Sequence, residues 1–117
     1  MGQSLLGTPD PPYYVVIFTS RLRGAAPGYA EMATAMEELA ASQEGYLGRE
    51  TARGADGLGI SVSYWRDEAA IKAWKADTRH KLAQKLGHER WYESFHLRVA
   101  RVERAYSGPR AGYVVEG

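Results

Sequence analysis

The chain has 117 residues, a formal net charge of +1 and no cysteine. Its length predicts a single domain with a buried core. The lack of cysteine excludes disulfides, thiolate metal sites and cysteine nucleophiles, and the balanced charge provides no electrostatic basis for binding nucleic acid or an anionic membrane. Because neither a signal segment nor a membrane-spanning apolar run is visible, we expect a cytoplasmic protein.

The first predicted strand follows a proline-rich start. Residues 1–12 contain three of the five prolines, which indicates a disordered or arm-like N-terminal tail. Residues 13–22 (YYVVIFTSRL) predict a strand, because β-branched and aromatic residues dominate the segment. Its two faces are both apolar, with Ile17 on one and Phe18 on the other. Such a strand is expected to be covered on both faces.

A helix and a hairpin are predicted next. Tyr29–Gln43 carries apolar residues at helical spacing and ends before a glycine. The pair Asp56-Gly57 is a hairpin turn signal between predicted strands at Tyr46–Arg53 and Leu58–Trp65. Alternation in the second of these strands divides it into two faces. One face carries Leu58, Ile60, Val62 and Tyr64, and the other carries Gly59, Ser61, Ser63 and Trp65.

The remaining elements are two helical segments and a strand. Asp67 is predicted to cap a helix, and Asp77-Thr78 predicts a break with a second cap. Another helical segment is expected at Arg79–Trp91 and a final strand at Phe95–Tyr106. Residues 107–117 are interpreted as a C-terminal extension.

The resulting order, β-α-β-β-α-β, predicts an α+β protein with a ferredoxin-like antiparallel sheet in one domain at residues 13–106. The two helical regions can cover only one face of such a sheet. We therefore expect a homodimer in which sheet packs against sheet.

The third strand suggests a binding pocket. Ser61 and Ser63 are small residues on one face, and Trp65 ends the same row. Small side chains leave room above a sheet that a tryptophan can enclose, which predicts an apolar pocket with a few hydroxyls. The alternative is an ordinary solvated strand face.

The helical segment after Asp77 suggests a base. His80, Gln84, His88 and Trp91 lie near one side of a helix. An imidazole titrates near neutral pH, so His80 is a candidate general base, and the alternative is a surface histidine. The spacing of His80 and His88 is unsuited to sharing a metal ion, and no metal site is predicted. Trp74 and Trp91 either stack on a flat ligand or pack in the core.

These segments resemble the antibiotic biosynthesis monooxygenase family over residues 13–106, most clearly in SYWRDEAAIKAW. The resemblance implies a dimeric α+β barrel. It also implies an activity like that of relatives that oxidise aromatic polyketides with O₂ and no cofactor, or that degrade haem.

The family's active residues are matched only in part. Trp65 matches the tryptophan that ends the third strand in the anthrone-oxidising type, and Trp74 matches a tryptophan of the haem-degrading type. In the first type an asparagine, a tyrosine and an arginine fall on Ser61, on Ile71 and near Lys85. In the second type an asparagine and the haem-ligating histidine fall on Ser20 and Gln84, which leaves His80 as the substitute ligand.

The leading hypothesis is a cofactor-independent monooxygenase that oxidises a small aromatic, phenolic or quinol-like compound, with O₂ as co-substrate. His80 and Trp65 are its expected catalytic residues. The expected substrate contacts are Phe18, Ser20, Ser61, Ser63, Trp74, Gln84 and Trp91. One alternative is a haem-binding or haem-degrading monooxygenase, and another is a non-catalytic small-molecule-binding stress protein. An RNA-recognition module shares the element order, but LGISVSYW lacks the basic, glycine-rich octamer of that class.

Overall fold

The computed structural model describes residues 5–108, apart from the side chain of Thr78. Four strands, three α-helices and a π-helical turn make up this part of the chain. In order they are β1 (Tyr13–Leu22), α1 (Tyr29–Ala41), β2 (Tyr46–Arg53), β3 (Leu58–Trp65), α2 (Glu68–Ala76), α3 (Thr78–Leu86), the π-helical turn (Gly87–Trp91) and β4 (Tyr92–Val102).

The strands form one antiparallel sheet in the order β2-β3-β1-β4. This arrangement confirms the predicted ferredoxin-like α+β fold. The final strand differs from the prediction at both ends. It begins at Tyr92 because pairing with Leu22 extends it toward the π-helical turn, and it ends at Val102, the residue opposite Tyr13 at the start of β1.

The predicted helix caps are present. Asp67 Oδ1 accepts a hydrogen bond from the Ala70 amide at 2.8 Å and starts α2. Asp77 has an extended backbone, with φ −61° and ψ 127°, and accepts from the amides of Arg79 and His80. A side chain that satisfies amides at a helix start also separates that helix from the one before it. The chain therefore bends between α2 and α3, as the sequence predicts.

The two sides of the sheet differ. Val16 of β1 lies beside Ser63 of β3 and Val99 of β4, and these residues share the side against which α1 and α2 pack. We call this the helix-facing side and the other the helix-free side. The helix-free side carries the apolar residues Val15, Ile17, Leu58, Ile60 and Val62. Leu58 and Ile60 remain 42% and 48% exposed, so this side lacks full cover in one chain.

Part of the N-terminal segment covers one corner of the helix-free side. Leu6 lies so close to Gly48 that a Cβ there would be 2.6 Å from a Leu6 methyl carbon. Thr8 Oγ1 donates a hydrogen bond to the Tyr13 hydroxyl at 3.0 Å. Between this segment and Tyr106 lies a cleft of about 390 Å³. No α-helix within residues 5–108 is long and apolar enough to span a membrane.

Candidate functional site

Three aromatic rings pack in series where β3 meets the helices. Trp65 ends β3 and has no exposed surface. The Trp74 ring of α2 stacks on it, with centroids 6.1 Å apart and planes 26° apart. His80 of α3 stacks on Trp74, with centroids 4.0 Å apart and planes 14° apart. We call Trp65, Trp74 and His80 the aromatic stack. The bend at Asp77 turns α3 back toward α2, so that the His80 ring packs on the Trp74 ring.

The imidazole of His80 has a fixed orientation. Its Nδ1 lies 3.0 Å from the carbonyl oxygen of Trp74. A carbonyl only accepts, so Nδ1 carries the proton and donates it, which leaves the lone pair on Nε2. Burial lowers the pKa of His80, and the hydrogen bond to Trp74 and the nearby Asp77 carboxylate offset only part of that shift. His80 is therefore neutral at neutral pH and has a basic Nε2.

The serines of β3 continue from the stack along the helix-facing side. Trp65 Nε1 donates to Ser63 Oγ at 2.9 Å, and Arg49 Nε donates to Ser61 Oγ at 3.0 Å. Both serines are half-buried. A serine hydroxyl that accepts one bond can still donate its own proton, so each keeps a donor for a ligand. Phe18 is the cross-strand neighbour of Ser61 and supplies apolar surface beside it.

Two predicted substrate contacts, Ser20 and Trp91, form buried hydrogen bonds within the fold. Ser20 is 2% exposed and its hydroxyl accepts from Arg53 Nη2 at 2.8 Å. Trp91 is buried, and its Nε1 donates to the carbonyl of Pro27 at 2.9 Å. The Trp91 carbonyl accepts from the amide of Arg23, just beyond the end of β1, whereas the stack lies at the start of that strand. Neither residue therefore lies beside the aromatic stack.

Gln84 and His88 lie about one and two helical turns after His80. Gln84 is half-buried on α3, but the ring of His80 is oriented by Trp74 and not by this amide. His88 is exposed and stacks on Phe95, with centroids 4.7 Å apart. Within residues 5–108, no three histidine or acidic residues come close enough together to hold a metal ion.

Comparison with known proteins identifies the family. Residues 12–86 match the family described as antibiotic biosynthesis monooxygenase. The chain belongs to this family. It is 50% identical over 104 residues to the uncharacterized protein YqjZ of Bacillus subtilis, covering 89% of this chain and 91% of that protein. It is 29% identical over 92 residues to the jasmonate monooxygenase ABM of Pyricularia oryzae, covering 76% of this chain and 43% of that protein.

Solved structures share the fold. SnoaB, a cofactor-independent oxygenase from Streptomyces nogalater, aligns with a TM-score of 0.70 and 12% identity over 80% of this chain and 95% of its own. Rv0793 from Mycobacterium tuberculosis aligns with a TM-score of 0.71 and 14% identity over 81% of this chain and 99% of its own. At these identities the likeness establishes the ferredoxin-like fold of the family.

Two arginines beside the serines of β3 are not among the site residues predicted from the sequence. Arg49 and Arg53 of β2 share the helix-facing side with Ser61, because β2 pairs with β3 in a regular register from Arg49 onward. A Cβ on Gly59 would lie 2.5 Å from the Arg53 guanidinium carbon. The small residues of β3 therefore make room for arginines and not only for a ligand. The alternation in β2, combined with the turn at Asp56-Gly57, was the signal available in the sequence.

Proposed function

We propose that this protein is a cofactor-independent monooxygenase that uses O₂ to oxidise a small aromatic or phenolic compound. The observation that carries the proposal is the His80 imidazole of the aromatic stack, which burial favours in its neutral form and whose hydrogen bond to Trp74 leaves the lone pair on Nε2. A general base works best when it is unprotonated at the working pH. The family supports the same reaction type, since one relative is named a monooxygenase of jasmonate and one structural neighbour a cofactor-independent oxygenase.

The proposed reaction needs no external reductant. Nε2 of His80 removes a proton from an acidic CH₂ group of the substrate, and the carbanion transfers one electron to O₂. The substrate radical and superoxide then form a C–O bond, and the resulting peroxide anion takes the proton back from the imidazolium. The hydroperoxide loses water to leave a carbonyl, so that one oxygen atom enters the product and the other enters water.

The expected site residues take different roles in this proposal. His80 is the catalytic base, and Ser61, Ser63, Phe18 and Gln84 are the substrate contacts. Trp65 and Trp74 are positioning residues in this proposal. Trp65 has no exposed surface, and the ring of Trp74 stacks on the imidazole of His80. The proposal gives Ser20 and Trp91 no role in substrate contact, because their side chains already form hydrogen bonds with Arg53 and with the carbonyl of Pro27.

Oxygen uptake tests the proposal. Chelator-treated protein should consume O₂ with anthrone, which has the required CH₂ group, and should yield one anthraquinone per O₂. Loss of a general base typically costs about 10²–10⁴-fold in rate, so His80→Ala should lose that much in kcat. His88→Ala is the matched control, since His88 stacks on Phe95 away from the aromatic stack.

Four results would contradict the proposal. Wild-type turnover by His80→Ala would show that His80 is not the base. Activity that appears only after adding flavin, metal or nicotinamide would show that the reaction depends on a cofactor. A Soret band on adding haemin, lost in His80→Ala, would favour the haem alternative. Ligand binding without oxygen uptake would favour a binding protein.

A further inference from the structure

The charged residues that the regularly paired parts of the strands contribute to the helix-facing side are all basic. In the regular parts of the ladders, at residues 14–20, 49–53, 59–65 and 95–101, the charged side chains on this side are Arg49, Arg53 and Arg101. No strand contributes an acidic side chain to the same side over those ranges. The sheet therefore presents positive charge toward the proposed site.

Two of these arginines are occupied elsewhere. Arg53 donates to the carbonyls of Ser20 and Gly57 and to the hydroxyls of Ser20 and Tyr29, which joins β1, β2 and α1. Arg101 lies on the edge strand and pairs with Glu103 at 3.3 Å. Both arrangements are explained by the fold.

Arg49 lies next to the serines. It is the cross-strand neighbour of Ser63, its Nε donates to Ser61, and its side chain is 21% exposed. Nη1 lies 2.9 Å from a carboxylate oxygen of Glu37, whose side chain is 46% exposed. Nη2 makes no hydrogen bond with any residue in the range 5–108. The guanidinium is thus held in place and keeps a donor beyond its two contacts.

The polar groups around Arg49, Ser61 and Ser63 are mainly hydrogen-bond donors. Nη2 of Arg49 and the hydroxyl protons of Ser61 and Ser63 all suit an oxygen that carries negative charge. The planar guanidinium is the side chain best matched to a carboxylate. Among residues 5–108, Glu37 is the one acidic group that pairs with Arg49, and it competes with such a ligand for the same cation.

We infer that the site selects aromatic substrates that carry an anionic oxygen, with Arg49 as the specificity-determining residue. This inference rests on the proposed function, because it assigns the substrate class of the same site. It adds a prediction about Glu37, whose removal should leave Arg49 more available to an anion.

A matched pair of probes tests the inference. We would measure the affinity of 2-naphthoate and of 2-naphthamide by calorimetry at neutral pH and low salt, since salt screens exposed charges. Arg49→Gln should weaken naphthoate binding about tenfold or more, the range for a hydrogen bond to a charged group, and should weaken naphthamide binding clearly less, because the amide carries no charge to pair with the guanidinium. Glu37→Gln should strengthen naphthoate binding. Arg21→Gln, on the helix-free side, should change neither.

The outcomes separate this inference from the proposed function. Equal losses for both probes in Arg49→Gln, unchanged naphthoate binding, or no binding of either probe to the wild type would overturn the inference. Arg49→Lys keeps the positive charge but lacks the planar guanidinium. Its affinity for naphthoate should lie between those of the wild type and Arg49→Gln, which distinguishes a loss of recognition from a loss of folding. Oxygen uptake with anthrone is measured separately, so discrimination between the probes without uptake would reject the oxygenase and retain the anion site.

Discussion

His80 shows how one side chain depends on its immediate surroundings. The carbonyl of Trp74 fixes which ring nitrogen holds the proton, and burial lowers the pKa of the imidazole. Burial favours the neutral imidazole, and the hydrogen bond to Trp74, which opposes that shift in part, leaves the lone pair on Nε2. The same shift has a consequence for stability that does not depend on turnover.

The stability of the protein should depend on pH through His80. Because its pKa is lower in the folded chain than the ordinary value of about 6.5, the unfolded chain binds more protons in the interval between the two values. The free energy of unfolding should therefore hold above about pH 6.5 and fall as pH decreases toward the folded-state pKa. Urea unfolding of wild type and His80→Gln over this range measures the effect. A His80→Gln variant with the same pH dependence as wild type would contradict it.

The elements around the stack are joined by tight contacts. Gly45, just before β2, adopts a left-handed backbone with φ 84°, and its carbonyl accepts from the Arg66 amide at 2.7 Å. Ala70 of α2 packs against it so closely that a Cβ on Gly45 would lie 2.6 Å from the Ala70 Cβ. This approach holds α2, and with it Trp74, against the sheet.

Gly45→Ala should therefore destabilise the fold. Left-handed backbone costs a non-glycine residue about 1 kcal/mol or more, and the contact with Ala70 adds to that cost. Urea unfolding should show a loss of at least about 1 kcal/mol. Gly7→Ala is the control, because no atom lies within 4 Å of a Cβ built there. Equal unfolding midpoints for the two variants would show that α2 adapts without cost.

The molecule leaves apolar surface exposed on both sides of its sheet. On the helix-facing side, Phe95, Leu97 and Val99 of the edge strand β4 are 40%, 50% and 47% exposed, and Leu58 and Ile60 stay exposed on the helix-free side. Twofold dimers are the commonest soluble oligomers, and stacked sheets bury such faces. A homodimer packed through the helix-free side remains the expected assembly.

Light scattering should give about twice the chain mass of 13.0 kDa. Ile60→Glu should shift the protein toward the monomer at micromolar concentration, because a carboxylate would be buried against the partner sheet. Leu82→Glu is the matched control, since Leu82 of α3 is 54% exposed on the helix layer. A monomeric wild type, or equal dissociation of both variants, would contradict the sheet-to-sheet dimer.

The sequence by itself determined most of the secondary structure and the family. The bounds of β1, β2 and β3 match the predicted ones, and the break at Asp77 lies where expected. These features depend on alternation, turn residues and capping, which act over a few neighbouring positions. Alternation alone also placed Ser61, Ser63 and Trp65 on one side of the sheet.

Tertiary structure decided which of these groups meet. Arg49 reaches Ser61 only through the register between β2 and β3, and Trp91 packs beyond the far end of β1 because the π-helical turn carries it there. His80 stacks on Trp74 because the bend at Asp77 brings α3 back to α2. Periodicity assigns a residue to a face, but contact between faces depends on register and layer packing, which are set by pairings distant in the chain.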